Sequence, residues 1–276
     1  MEPIRFYHTK KNPLIIPALI AQKHGLFEKR GLKVDLRLTE DFTFDGNSPF
    51  IEGQSDAMIG DLTFFFYALE KGKRAVLTSN LTRTIHLVGR KGLKEPYRGI
   101  KVGVNRKGLF RLYLENDLKD IVPDAQIVWL NNTYERMEAL EQGKIDALVA
   151  IEPFVTDLTD KGHEVLWSTR SGDKNLVMWA FDENFYEQHE ESVKVFHEAL
   201  EEAGEWFNQL NHEEKVKVCH EELGYTCDFA KRMVDFNFEH QAAIRLEDFE
   251  LCMEWMYRNQ EITRTYEGTK LIKQVF

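Results

Sequence analysis

The sequence predicts an α/β fold in two lobes, with a block of helices added at the C-terminal end. Three observations carry this. Strand-like and helix-like segments alternate through the first half of the 276-residue chain, the pattern of a sheet with helices on its faces. One segment recurs: EGQSDAMI at 52–59 and QGKIDALV at 142–149 share Gly, Asp, Ala and two apolar residues, and both follow a helix-like run. Charge is also regional. Residues 1–184 hold 26 basic and 26 acidic side chains and residues 185–276 hold 10 and 20, so the net charge of −10 belongs to the C-terminal third.

The elements follow in order. Residues 4–7 read as a short strand. Asn12-Pro13 opens a helix, since Asn caps free N–H groups and Pro suits the first turn; it runs to about His24, where Gly25 stops it. Residues 31–38 alternate with period two and form a strand. A loop with Phe42, Phe44, Gly46 and Pro49 leads to a short helix ending near Gly53. Residues 56–60 are a buried strand and 61–70 a helix closed by Gly72. The order then repeats: a strand at 99–104, a helix after Gly108, a strand at 126–130, a helix at 133–141 and the recurring strand. The chain thus holds two βαβαβ units, each ending in the same helix–Gly–strand joint, and the alternation implies parallel sheets. After Trp179 amphipathic helices take over. The first, about 191–208, carries Val193, Phe196, Leu200, Ala203 and Phe207 as a stripe opposite an acidic face. Others are expected at 212–223, 227–238 and 246–258, with a last stretch near 260–274.

Composition excludes several classes. A net charge of −10 argues against a nucleic-acid binder, which shows a basic excess. The apolar run 13–21 is far short of the ~20 residues of a spanning helix and is broken by Pro17. No cleavage pattern follows it. The compartment stays open: extracytoplasmic and membrane-associated if a leader has been removed, cytoplasmic if Met1 is the native start. Cys219, Cys227 and Cys252 are odd in number and lack the short spacing of a metal or redox site. They are expected as small buried side chains on helices, with no disulfide framework, metal or cofactor.

Taken together, IPALIAQKHGLFEKRGLKVDLRL (16–38), EGQSDAMIGDLTFFFYALEKGK (52–73), GIKVGVNRKG (99–108), LEQGKIDALVAIEPF (140–154) and the acidic helical tail resemble the NMT1/THI5-like substrate-binding proteins. The resemblance spans essentially the whole chain. It implies a type 2 periplasmic-binding-protein-like fold with mixed sheets flanked by helices. Lobe 1 would comprise 1–83 plus 180–276 and lobe 2 84–179. It also implies a monomer that hands a small ligand, such as a sulfonate, nitrate or thiamine-precursor pyrimidine, to an ABC permease. The ligand would lie in an interlobe cleft at the carboxyl ends of the strands, where open α/β sheets bind their ligands, and the lobes would close on it.

Three loops that follow strands are candidates: Tyr7, His8 and Asn12; Gly60, Asp61 and Thr63; Asn105, Arg106 and Gly108. Each precedes a helix whose first N–H groups suit acceptor-rich ligands. Arg106 and Lys107 also fit plain solvated cations. Asn131, with Asn132 and Thr133, offers amides at a helix start, where a simple N-cap is the ordinary role. Glu152 follows the second copy of the recurring strand as Asp61 follows the first. Two carboxylates so placed favour a ligand with amine or ring N–H donors. Tyr7, Phe42, Phe44, Phe64, Phe110, Phe154 and Trp179 are each ordinary core residues by type, yet as a group they suit a flat heteroaromatic ligand.

The alternative is an enzyme on the same fold, either in a menaquinone-type pathway or like the branch that makes the thiamine pyrimidine from a histidine of its own chain with iron and a Cys-rich run. That histidine would fall at Phe64 and the Cys-rich run near 171–175, which holds no Cys. His8 and His86 remain as candidate site histidines. No nucleophile elbow, zincin, P-loop or dinucleotide motif is present, and no catalytic residue is expected.

Overall fold

A computed structural model describes residues 1–39, 48–232 and 236–276. The chain divides into two compact units, residues 1–82 with 175–276, and residues 83–174. Elements are numbered along the chain.

The first unit is built on β1 (Ile4–Thr9), β2 (Val34–Thr39), β3 (Ala57–Asp61), β4 (Ala75–Asn80) and β10 (Val177–Asp182), in the order β2-β1-β3-β10-β4. β1 runs parallel to β2, with Ile4 opposite Val34, and to β3; β10 is antiparallel to both β3 and β4. Along β1 the side chains of Ile4, Phe6 and His8 are buried, the alternation of a strand with one face on the core. The expected first helix begins as a 3₁₀ turn, Pro13–Ile15, capped by Asn12, and continues as α1 (Ile16–Lys23). Gly25, at φ +66°, turns the chain into α2 (Leu26–Lys29), a left-handed position that glycine takes without strain. α3 (Leu62–Glu70) follows β3 directly.

The second unit contains β5 (Ile85–Gly89), β6 (Lys101–Val104), β7 (Gln126–Trp129), β8 (Ala147–Ile151) and β9 (Glu164–Ser168), with α4 (Leu109–Asn116), α5 (Thr133–Glu141) and α6 (Phe154–Asp160). Its order, β7-β6-β8-β5-β9, repeats that of the first sheet strand for strand, including one reversed strand, β5. Val88, Leu140, Ile145, Leu148, Val155 and Leu158 form its core.

Both sheets are therefore mixed rather than parallel. The strands that make the difference, β4, β5, β9 and β10, have no counterpart in the sequence-based order. β4 and β10 are almost wholly buried, so neither carries the two-residue alternation that reveals a strand, and a short apolar run alone does not separate strand from helix. The helix expected before Gly53 is a set of turns, and Phe42, Phe44 and Gly46 lie outside the described residues.

The C-terminal helices belong to the first unit. They are α7 (Glu183–Gln188), α8 (Glu190–Gln209), α9 (His212–Lys217), α10 (Cys227–Arg232), α11 (Leu246–Arg258) and α12 (Gly268–Leu271). All five stripe residues of α8 are buried, and Phe196 stacks on Phe27 at 5.5 Å and meets Trp179 edge-on at 5.3 Å. Truncating such an aromatic costs ~3–5 kcal/mol. The region 260–274, expected as a helix, is helical only over α12, and 236–238 is not helical.

The recurring segment has a mechanical reason. Gly53 and Gly143 both turn at positive φ, +75° and +67°. Asp56 donates its backbone N–H to the Arg5 carbonyl and accepts the Arg5 N–H on its carboxylate, both at 2.8 Å. Asp146 does the same with Lys101, at 2.8 and 2.9 Å. Each Asp thus staples the strand it precedes to the central parallel strand of its sheet, and each binds an arginine, Arg5 or Arg90. Asp56 is 4% exposed, and Asp56→Ala removes the acceptor of both the Arg5 N–H and its guanidinium, worth about 1–3 kcal/mol. Urea denaturation should report that loss at an unchanged m-value, with a smaller one for the half-buried Asp146.

The cysteines are all free, Cys219 and Cys252 buried and Cys227 exposed. The expectation of three buried thiols is therefore corrected at Cys227, which opens the short helix α10. Burial pushes the Cys219 thiol up to about 12 and Cys252 well above the ordinary range. A colorimetric thiol titration should find one fast thiol in the native protein and three after denaturation, and Cys227→Ser should remove the fast one.

Candidate functional site

In the first unit the candidate residues gather where β1 and β3 end. His8 is 1% exposed, and burial lowers its pKa to about 3. The Asn12 amide lies 3.1 Å from His8 Nε2, while its oxygen accepts the Leu14 N–H at 3.0 Å. With the amide donating, Nε2 is the acceptor of a neutral imidazole. Tyr7 projects from the opposite face of β1. Its hydroxyl accepts from Arg37, whose guanidinium lies 4.9 Å from the ring centre.

Asp61 ends β3 and caps α3. Its Oδ1 accepts the Thr63 N–H at 2.8 Å, the Phe64 N–H at 3.3 Å and the Thr63 hydroxyl at 2.5 Å. Burial of the carboxyl group nevertheless outweighs these bonds and raises its pKa to about 6. Thr63 is buried, while Gly60 and Phe64 are half-buried. Trp179 sits inside β10 opposite Ile59, 3% exposed among Phe6, Phe196 and His197. It is a core side chain with an edge on a groove lined also by Leu14, Leu200 and Phe238.

In the second unit the residues gather where β6, β7 and β8 end. The Arg106 N–H donates to Asn131 Oδ1 at 3.0 Å, tying the loops after β6 and β7 together. Arg106 and Arg111 both lie 5.5 Å from the Trp129 ring centre. Gly108, at φ +80°, opens α4, which has no side-chain cap. Asn132 caps α5. Glu152 follows β8 and accepts from the Thr156 N–H at 3.1 Å and its hydroxyl at 2.9 Å. It therefore serves the first turn of its helix as Asp61 does in the other unit, using one backbone N–H and one threonine hydroxyl. Phe154 packs partly on the core and edge-on to Tyr134 at 5.4 Å. His86 lies near the start of β5 opposite Ala150 and Ser168, half-buried, with Nδ1 unpartnered. Burial and then the nearby Arg170 lower its pKa to about 4.

One residue of this region was missed. Arg136, wholly buried on α5, donates to Asn105 Oδ1, to the Leu130 carbonyl at 2.7 Å and to the Thr133 hydroxyl at 2.8 Å. Its guanidinium lies 5.3 Å from the Phe110 ring centre, and the charge of its helix neighbour Glu135 favours the cation. Burial lowers its pKa to about 10, which leaves it charged at neutral pH. Gly103 packs beside the stem: a Cβ there would lie 3.5 Å from Arg136, an ordinary contact, but only 2.6 Å from Ile145, so the glycine makes room for Ile145. The sequence did hold a signal, a lone Arg in helical register with Thr133 and Leu140.

No protein-family model matches the sequence, and no curated protein sequence matches it. Solved structures do match. The periplasmic aliphatic sulphonate-binding protein SsuA from Escherichia coli superposes with a TM-score of 0.77 over 99% of this chain and 92% of that one, at 16% identity. The fold is that of the periplasmic binding proteins. The ligand-binding component of an ABC-type import system from Staphylococcus aureus, solved with zinc bound, gives 0.73 over 99% and 97%, at 12% identity. The alkanesulfonate-binding protein SsuA from Xanthomonas axonopodis pv. citri, bound to MOPS, gives 0.68 over 95% and 94%, at 14%. At these identities the similarity is one of periplasmic-binding-protein architecture, and no described helix is long and apolar enough to cross a membrane.

Proposed function

We infer that this chain is a solute-binding protein of an ABC importer, which takes up one small organic molecule on the strand-end loops of its two units and closes on it. The supporting observation is the fold, matched over 99% of the chain to a periplasmic binding protein, together with polar side chains grouped at the strand ends of each unit. Closure on a ligand is the ordinary hinge motion of such proteins, and the closed form would be the one the permease recognises.

For the ligand, we propose a flat nitrogen heteroaromatic such as a thiamine-precursor pyrimidine. Asp61 and Glu152 each turn a carboxylate to the first turn of a helix at a strand end, and carboxylates accept from amine and ring N–H groups. Phe64, on the first turn of the helix that Asp61 caps, and Tyr7, on β1, are both partly exposed and suit an aromatic face. A second reading is favoured by the other unit: Arg106 and the buried Arg136 lie about the loop that leads into α4, and cations so placed suit an anionic group such as a sulfonate.

A thermal-shift screen with pyrimidines, thiamine precursors, flavins, sulfonates and nitrate separates these readings. A true ligand at 100 times its dissociation constant adds ~2.7 kcal/mol of stability. Asp61→Asn, which keeps a capping oxygen, should weaken a heteroaromatic ligand at least tenfold and leave a sulfonate nearly unaffected. No catalysis is proposed, because Phe64 and residues 171–175 lack the histidine and cysteines of the pyrimidine-making branch. Turnover of any stabilising compound would reverse that conclusion.

A further inference from the structure

Among the described residues, one group away from the strand-end loops has the donors and spacing of a metal centre. Glu201 and Glu205 stand one turn apart on α8, and His240 reaches them from the extended segment 236–245 that precedes α11. The three donor atoms lie within 4.8 Å of one another. His240 Nδ1 is 2.5 Å from Glu201 Oε1 and 3.7 Å from Glu205 Oε1. Zinc bonds of ~2.0–2.2 Å in tetrahedral geometry place donors roughly 3.3–3.6 Å apart. An ion would therefore need the His240–Glu201 contact to open by about an ångström, while the His240–Glu205 distance of 3.7 Å is already close to that spacing.

The surroundings hold this arrangement without the ion. Glu201 Oε2 accepts the Gln241 N–H at 3.0 Å, which orients the carboxylate and leaves Oε1 facing the imidazole, the outer support that metal ligands commonly have. The segment carrying His240 is fixed by bonds of its own. Ala242 exchanges two 2.8 Å hydrogen bonds with Asn80, the Glu239 N–H donates to Thr82 at 2.9 Å, and the Phe238 N–H donates to Asn208 at 2.8 Å. His240 is thus delivered to α8 by backbone anchoring, not by its ion pair alone. One imidazole and two carboxylates form a borderline donor set that suits zinc-type ions better than calcium or magnesium.

We propose that Glu201, Glu205 and His240 bind a divalent transition-metal ion of the zinc class, pinning the 236–245 segment to α8. Three protein ligands leave a fourth position open, on the rim of the groove floored by Leu14, Trp179, Leu200 and Phe238. The site is independent of the ligand-binding reading above.

The test is a calorimetric titration of untagged, chelator-treated protein with Zn²⁺, and of Co²⁺ by visible absorption. The expected result is one saturable site, a raised melting temperature with Zn²⁺, and binding at least tenfold weaker in His240→Gln and in Glu205→Gln. Both side chains are exposed, so both variants should melt like the parent without metal. Absence of saturable binding overturns the proposal. So does a saturable site that is unchanged in both variants, which would place the ion elsewhere.

Discussion

Acidification from pH 7 to pH 4 is expected to unfold the protein, driven by three histidines held neutral. His8, His86 and His197 have pKa values lowered to about 3, 4 and 4, in each case first by burial. His197 is wedged between Thr78, 2.9 Å from Nε2, and Gln241, 2.6 Å from Nδ1. A group with a depressed folded-state pKa stabilises the fold above its unfolded value, ~6.5 for histidine, and that stability is lost as the pH falls toward the folded value. By pH 4 each of the three has lost about 3 kcal/mol, on the order of 9 kcal/mol together, against a typical total of ~5–15 kcal/mol. Asp61 acts in the opposite direction. Its pKa, raised to about 6 by burial, gives stability below the unfolded value of ~3.9 that is lost as the pH rises through 6, so acidification returns roughly 2 kcal/mol. The histidines win. Circular dichroism against pH should show a cooperative transition between about pH 5 and pH 4, and His197→Gln should lessen the acid sensitivity by about a third. An acid limb identical in that variant would show that burial of His197 does not set it.

Replacing Arg136 by methionine is expected to destabilise the second unit by about 2–4 kcal/mol. Two effects compete. Removing a buried cation relieves a desolvation cost, and exchanges for apolar residues are often tolerated when every partner is exchanged too. Here the partners stay: the Asn105 amide oxygen, the Leu130 carbonyl and the Thr133 hydroxyl all lose a donor, and because these residues are half-buried each loss costs about 1 kcal/mol. The second effect is larger, because one guanidinium serves three acceptors on three different segments. Arg136→Lys keeps the charge but cannot span them, and should lose at least half as much. A melting temperature lowered by roughly 5–12 °C would be the signature; unchanged melting in both variants would mean that Arg136 is no strut. The same pair tests the anionic reading of the ligand, since methionine at this position should weaken a sulfonate and leave a neutral heteroaromatic alone.

Strong helical periodicity was legible in the sequence. The helices expected at 133–141 and 246–258 coincide with α5 and α11, and the α8 stripe is buried at every predicted position. The recurring Gly–Asp segment was visible as a repeat, but its meaning needed coordinates, since only the pairing of Asp56 with Arg5 and of Asp146 with Lys101 reveals it as a staple. The reversed strands β5 and β10 were hidden because burial on both faces erases alternation and because sequence order says nothing about a strand inserted from elsewhere in the chain. At the site, the capping chemistry of Asn12 and Asn132 follows from residue type, whereas Asp61, expected only as a ligand contact, is shown as a cap by the bonds it accepts from Thr63 and Phe64. Arg136 does not, because an arginine in a helix is ordinarily exposed, and its burial depends on acceptors supplied by Asn105 and Leu130 on other elements.

The most direct test of the account is a calorimetric titration of the parent, Asp61→Asn and Glu152→Gln proteins with the compound that stabilises the parent most, followed by recovery of that compound. The predicted result is one molecule bound per chain, at least tenfold weaker binding in both variants, and a compound recovered chemically unchanged. Equal affinity in all three proteins, or recovery of an altered compound, would contradict it.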